Sequence, residues 1–178
     1  MGRVTYQADD VPAGPIDPQG NRGTESGYTV RQRVMLALKT MLEDMMDDTE
    51  TVWKNVYWGD LEDQDNTVCP AAAVDFGTEE LIGNTFPCST YQLPVFFNFR
   101  FVGARGVDEH MLYMYYLGLL QSAMLGDHNI EGLTLDVQEL TNSHTIIGVE
   151  SVYPGGSLIA NVIYKTRLHN PYKSPHEA

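Results

Sequence analysis

The stretch LPVFFNFRFV, residues 93–102, decides the fold. Its odd positions from 95 to 101 hold valine or phenylalanine, and they alternate with Phe96, Asn98 and Arg100. Successive side chains of a strand point to opposite faces of a sheet, so this period of two predicts a strand with one face on a hydrophobic core. Proline cannot donate to a central ladder, and Pro94 is therefore expected to mark the beginning of the strand.

Weaker strand patterns surround this segment on both sides. They combine β-branched and aromatic residues or short alternations, and they lie at residues 51–58, 71–76, 133–137, 146–152 and 158–166. Between the last two segments, the sequence Pro154-Gly-Gly-Ser157 predicts a hairpin turn.

Two helices are predicted. The first begins at Thr29, which forms a capping-box pattern with Gln32, and its apolar residues recur on one face to about Asp47. The second begins after the capping Asp108, continues to about residue 125 and is closed by Gly126. This order of helices and strands predicts an α+β domain, with a largely antiparallel twisted sheet flanked by two main helices.

The chain divides into three parts. Residues 1–28 are rich in proline and glycine and poor in aliphatic side chains, so they predict an extended or flexible N-terminal arm. The arm is either a disordered terminus or a segment held by a neighbouring subunit. Residues 29–172 form one α+β domain, in keeping with a chain of 178 residues that supports one core. Residues 173–178 form a C-terminal tail.

The second predicted helix is unusually apolar. In MLYMYYLGLLQSAML, residues 111–125, only Gly118, Gln121 and Ser122 are neither apolar nor aromatic. The run is shorter than the ~20 residues of a membrane span, so no membrane contact is expected. The helix is either wrapped by its own chain or packed against another subunit. One face contains Leu112, Tyr115, Tyr116, Leu119 and Ala123. A second stripe, the candidate subunit interface, contains Tyr113, Leu117 and Met124.

The charge balance excludes one large class of function. Eleven Lys and Arg residues stand against 24 Asp and Glu residues, which gives a net charge of −13. Proteins that read DNA or RNA neutralise phosphates with clustered cations, so specific nucleic-acid binding is not expected. The two cysteines, Cys69 and Cys88, lack metal-binding spacing and predict free thiols in a reducing compartment. With no apolar signal-peptide core near the N-terminus, a cytoplasmic site of synthesis is expected.

No catalytic motif is recognisable. The five histidines are scattered, and neither a nucleophile elbow nor a phosphate-binding loop is present, so we expect no cofactor, no metal and no enzyme activity. The acidic loop at residues 59–66 lacks the glycine and the final glutamate of an EF-hand. Its acidic residues are Asp60, Glu62, Asp63 and Asp65. The loop is either simply solvated or a surface for a partner, and a small metal-dependent enzyme that uses it is the alternative from another class.

In the order of its helices and strands and in the residue types within them, the chain resembles the tail terminator, or tail-completion, proteins of long-tailed bacteriophages. The resemblance covers residues 29–172. Its carriers are TVRQRVMLALKTML (29–42), YQLPVFFNFRFVG (91–103), DEHMLYMYYLGLLQSAML (108–125) and VYPGGSLIANVIYKTRLHNPY (152–172). The long N-terminal arm departs from the compact versions of that family.

The resemblance implies a structural virion protein, assembled in the host cytoplasm, that forms a hexameric ring on the head-proximal end of the tail. Such a ring caps the tail tube, stops its polymerisation and joins the tail to a head-completion or connector protein. Double-stranded DNA passes through the lumen without specific binding. The acidic loop is a candidate either for the lumen wall or for a contact with a partner. Alternatives within the same class are a head-completion protein or a tail-tube subunit.

Overall fold

The computed structural model of the chain describes residues 28–59, 61, 68–103, 108–126, 130, 133–145 and 154–175. Over these ranges the chain forms two helices and eight strands. The helices are α1 (Val30–Glu43) and α2 (Glu109–Gly126). The strands are β1 (Met46–Asp47), β2 (Glu50–Thr51), β3 (Asn55–Trp58), β4 (Ala71–Phe76), β5 (Glu80–Thr85), β6 (Cys88–Arg100), β7 (Thr134–Thr145) and β8 (Gly155–Arg167).

Six of these strands form one sheet with β6 near its centre. The order across the sheet is β3-β4-β6-β8-β7. One edge of β6 is shared by two strands, because β5 pairs with its first residues and β4 pairs with its last residues. Among the described strands only the β3–β4 pair is parallel, and β6 pairs with β8 along its whole length. The predicted α+β class with a largely antiparallel sheet and two helices is therefore confirmed.

Both helices cover the same face of the sheet. The odd-numbered side chains of β6 from Leu93 to Arg100, together with Phe101 just beyond it, belong to one buried cluster that also contains residues of both helices. Helix α1 contributes Val34, Leu38 and Leu42, which lie on one stripe of the helix as the sequence predicts. Because the odd-numbered side chains of residues 93–101 are all large and apolar and lie on one side, that stretch defines the core face, while Phe96 lies on the other side of the sheet.

Strand β6 is longer than predicted and contains Pro94 in its interior. The carbonyl of Pro94 accepts a hydrogen bond from the N–H of Gly77 at 2.8 Å, at the point where β4 has ended and β5 has not yet begun. The N–H and C=O groups of a residue in an antiparallel strand point to the same side. The N–H group that proline lacks would therefore have pointed into this gap, where no strand needs it. The proline therefore breaks no ladder bond, and the expectation that it begins the strand is wrong.

The predicted hairpin turn at residues 154–157 is also wrong. Gly155 and Gly156 lie inside β8 and pair with Arg100 and Phe99 of β6. A Cβ atom on Gly155 would lie only 2.3 Å from the carbonyl oxygen of Phe99, so the glycine permits a close approach of two strands where a turn was expected. The predicted strand at 146–152 lies outside the described residues.

The helix beginnings agree with the sequence patterns, and one helix end does not. Thr29 and Gln32 form the reciprocal capping box, and the Asp108 carboxylate accepts from the N–H of His110 at 2.9 Å. Helix α1 ends at Glu43, because the next residues form the small β1–β2 hairpin, in which Asp48 has a φ of 53°. Of the predicted segment 51–58, only Asn55–Trp58 joins the main sheet.

The two ends of the predicted domain differ in how much is described. Residues 1–27, nearly all of the predicted arm, lie outside the described ranges. At the other end, the N–H of Arg167 donates to the carbonyl of Lys173 at 2.9 Å, and Ser174 is buried. The first residues of the predicted tail therefore pack against the end of β8.

Candidate interaction surfaces

The predicted interface stripe of α2 lies in the core of its own chain. Tyr113, Leu117 and Met124 are only 2–4% exposed. The ring of Tyr113 stacks on Phe99 with centroids 5.9 Å apart, and its hydroxyl donates to Asn142 Oδ1 at 3.2 Å. The assignment of these three residues to a subunit contact is thus corrected: they hold α2 on the sheet, and of the two alternatives for this stripe the structure shows burial by its own chain.

The opposite side of α2 carries the exposed apolar residues. We call this region the α2 surface, and it consists of Met111, Met114 and Tyr115 on the helix with Met46 and Val102 beside it. The hydroxyl of Tyr115 donates to the Asp47 carboxylate, which holds the β1–β2 hairpin next to the helix. A Cβ atom on Gly103 would lie 3.4 Å from the Glu109 carboxylate, so the residues after β6 are close to the first turn of α2.

The α2 surface is bordered by negative charge. The turn between α1 and β2 and the start of α2 supply seven acidic residues: Glu43, Asp44, Asp47, Asp48, Glu50, Asp108 and Glu109. Lys39 is paired with Glu43. The hydrogen bond to Asp47, and then burial and the negative charge of Asp47, raise the pKa of Tyr115 to about 12. The described residues of this border therefore carry an excess of negative charge.

A second exposed apolar region lies on the β5–β6 hairpin. We call it the hairpin surface, and it consists of Leu81 and Ile82 on β5 and Phe86 at the tip. Phe86 is 87% exposed, which is exceptional for an aromatic side chain. Among the described strands β5 pairs only with β6, so its other edge presents unpaired backbone groups as well.

Three basic residues lie beside the hairpin surface, where the described acidic residues are Glu79 and Glu80 at the start of β5. Lys165 and Arg167 on β8 lie opposite Thr90 and Cys88, at the beginning of β6, and Lys173 returns to the same end through its bond with Arg167. No acidic residue occurs between positions 165 and 175. In a chain with a net charge of −13, this is a local excess of positive charge.

The base of the hairpin is fixed by Arg31 of α1. Its guanidinium lies over the ring of Phe76, 4.7 Å from the centroid, and is 3.8 Å from the Glu79 carboxylate. Glu79 also accepts a hydrogen bond from the hydroxyl of Tyr164. Burial, and then this bond, raise the pKa of Tyr164 far above its ordinary value. These contacts connect the hairpin to the core and fix its direction.

The two surfaces lie at opposite ends of the same strand. The hairpin tip immediately precedes Cys88, and Val102 follows Arg100 by two residues. The 13 residues of β6 span roughly 40 Å at ~3.4 Å per residue. The sheet ladder on both sides of β6 keeps this separation fixed.

Of the predicted acidic loop, the structure describes only Gly59 and Leu61. Asp60, Glu62, Asp63 and Asp65 lie outside the described residues, and Leu61 between them is buried against Ala71 and Ala73. Sequence reasoning missed the hairpin surface. A signal was available in the adjacent pair Leu81-Ile82, because two neighbouring apolar residues on a strand point to opposite faces and cannot both reach one core.

Other kinds of site find no support in the part of the chain that the structure describes. Within it, no three or more His, Cys, Asp or Glu side chains come together to hold a metal ion. No described helix has the length and hydrophobicity to cross a membrane. Cys69 and Cys88 are both free.

Comparison with models of known protein families gave no match, and comparison with curated proteins gave no significant relative.

Proposed function

We propose that this chain is a structural subunit of a bacteriophage tail, a tail terminator that forms a hexameric ring on the head-proximal end of the tail tube. One observation carries the proposal: the chain has two different exposed apolar surfaces at opposite ends of β6. A closed cyclic ring uses a head-to-tail contact, in which each subunit contributes two unlike surfaces. A two-fold dimer needs only one.

The charge supports the same proposal. A ring around double-stranded DNA has to let the phosphates pass without holding them, and a net charge of −13 per subunit repels them. The partners are then other copies of the chain, the tail-tube protein on one side of the ring and a head-completion or connector protein on the other. The protein has a structural role in the virion tail, is assembled in the host cytoplasm and has no enzyme activity.

Electron microscopy of the purified full-length chain tests this function. Negative-stain images, with particle mass measured in solution, are expected to show closed rings of one size. The chain is then added during polymerisation of the tail-tube subunit from the same phage. A terminator stops growth, so tubes become shorter as its concentration rises, and each stopped tube carries a ring at one end.

Two results would overturn the proposal. Growth of the chain alone into filaments of unlimited length identifies a tube subunit instead. A chain that forms no ring, either alone or on tubes, and leaves tube length unchanged has no terminator role. A matched control is the Leu135→Asp variant, because Leu135 is exposed on β7 outside both apolar surfaces and the variant should behave as the wild type does.

A further inference from the structure

We propose that the hairpin surface of one copy of this chain docks on the α2 surface of the next copy. The proposal rests on the ring function above and deepens it, because it names the contact from which the ring is built. It assigns Phe86 as the inserted side chain and Met111 and Met114 as its receiving site.

The two surfaces match in chemistry. Phe86 offers a rigid aromatic ring at the tip of a two-stranded hairpin, and aromatic anchors dominate the energy of many protein interfaces. The α2 surface offers three methionines, Met46, Met111 and Met114, whose flexible thioether side chains adapt to an inserted ring and make favourable sulfur–aromatic contacts. Neither surface is complementary to itself in this way.

The two surfaces also match in charge. Beside the hairpin, Lys165, Arg167, Lys173 and Arg31 outnumber Glu79 and Glu80, whereas the border of the α2 surface is acidic. Two hairpin ends would bring cations together, and two α2 surfaces would bring carboxylates together. Opposite potentials favour only the contact between unlike ends, and they add specificity to it.

The contact has to join two molecules. The surfaces lie at opposite ends of β6, and its paired neighbours prevent the strand from folding back, so the hairpin cannot reach the α2 surface of its own chain. Every copy that has docked its hairpin still has a free α2 surface. The contact therefore repeats until the ring closes.

Two complementary variants test the contact. Phe86→Asp removes the hairpin surface and keeps the α2 surface, while Met114→Asp does the opposite. Each variant alone is expected to remain monomeric, with self-association weakened by at least about 30-fold. An equimolar mixture is expected to form dimers and nothing larger, since the Met114→Asp hairpin can dock on the Phe86→Asp molecule and no second contact is possible. Sedimentation velocity measures all three samples.

Controls keep the outcome interpretable. Both changed residues are more than half exposed, so far-UV circular dichroism and the melting temperature should match those of the wild type. Leu135→Asp should associate as the wild type does. Raising the salt concentration should weaken the mixed dimer, because the flanking charges are solvent-exposed and screened.

The outcomes separate the docking mode from the ring function. If the wild type forms rings and the mixture stays monomeric, the docking mode is wrong and the terminator role stands. If the mixture dimerises and the wild type grows into filaments of unlimited length, the docking mode is supported and the terminator role is wrong. If Met114→Asp alone associates as the wild type does, α2 is not the receiving surface and the proposal is overturned.

Discussion

Replacing Leu117 by alanine should destabilise the folded chain strongly. Leu117 is 4% exposed in the main core cluster, on the side of α2 that faces the sheet. Truncation of a buried leucine removes transfer free energy and leaves a cavity, which together cost about 2–5 kcal/mol of unfolding free energy. With a loss of about 3 kcal/mol and a urea dependence of about 2 kcal/mol per molar, the unfolding midpoint should fall by about 1.5 M urea.

Tryptophan fluorescence during urea unfolding is the appropriate assay. Trp53 stacks on Tyr116 of α2, with ring centroids 5.3 Å apart, so its emission changes when the helix leaves the sheet, and a Trp58→Phe background removes the signal of the second tryptophan. The measurement is made in the Phe86→Asp background, where the chain is monomeric if the docking proposal holds. Met114→Ala is the matched control, since Met114 is 51% exposed on the outer side of the same helix and should change the free energy of unfolding by no more than about 0.5 kcal/mol.

The refuting result is a reversal of the two effects. If Leu117→Ala leaves the urea midpoint unchanged and abolishes self-association in an otherwise wild-type chain, then the inner stripe of α2 is a subunit contact. The same conclusion follows if Met114→Ala lowers the midpoint of the monomer as much as Leu117→Ala was expected to. Either result places the wrong side of α2 against the sheet.

Three further predictions concern local structure. Gly155→Ala should cost about 1–3 kcal/mol of unfolding free energy, because its Cβ would press on a backbone oxygen, whereas Gly118→Ala has open space around it on a helix and should gain about 0.5–1 kcal/mol; chemical unfolding measures both. Thr29→Ala removes the capping box of α1 and should cost about 1 kcal/mol, seen as a lower melting temperature. In Asp47→Ala, the pKa of Tyr115 should return from about 12 toward 10, measured by phenolate absorbance. Because the folded pKa is the raised one, the stabilisation from this hydroxyl is present below pH about 10 and is lost as the pH rises through about 12, and the variant lacks it.

Local patterns of side chains predicted the elements that depend on local rules. The alternation in residues 93–102 identifies the central strand, and the capping residues Thr29 and Asp108 identify where both helices begin. The weak strand at Ala71–Phe76 also appears with its predicted bounds. The capping contacts join residues two or three positions apart, and the alternation of a strand lies in its own side chains, so the local sequence contains both signals.

Features set by tertiary contacts were not predictable in this way. Pro94 has the pattern of a strand start, and β6 tolerates it in its interior only because neither β4 nor β5 pairs at that position. Gly155 has the pattern of a turn residue. A glycine is needed at this position because the backbone of Phe99 on the neighbouring strand comes too close for a side chain. Both errors come from partners that lie far away along the chain and that no local pattern reveals.

The sequence of α2 indicates two apolar faces and does not say which one is buried. Almost the whole circumference from Met111 onward is apolar or aromatic, so hydrophobic periodicity gives no preferred direction. The sheet decides: Phe99 stacks on Tyr113, and Phe101 stacks on Tyr116, which turns Met114 and Tyr115 outward. The prediction of two faces was useful, and the assignment of Tyr113 to the outer one was wrong.

This orientation also prepares the outer face of α2 for a partner. The ring of Tyr116 lies between Trp53 and Phe101, with centroid separations of 5.3 and 5.2 Å, and it meets the edge of Tyr115 at 5.3 Å. The aromatic contacts hold the helix firmly under a surface whose methionines remain adaptable. A rigid base lowers the entropy lost on docking, while flexible side chains on it accommodate the incoming ring. In the proposed docking mode, the same helix therefore completes the core on one side and receives a second copy of the chain on the other.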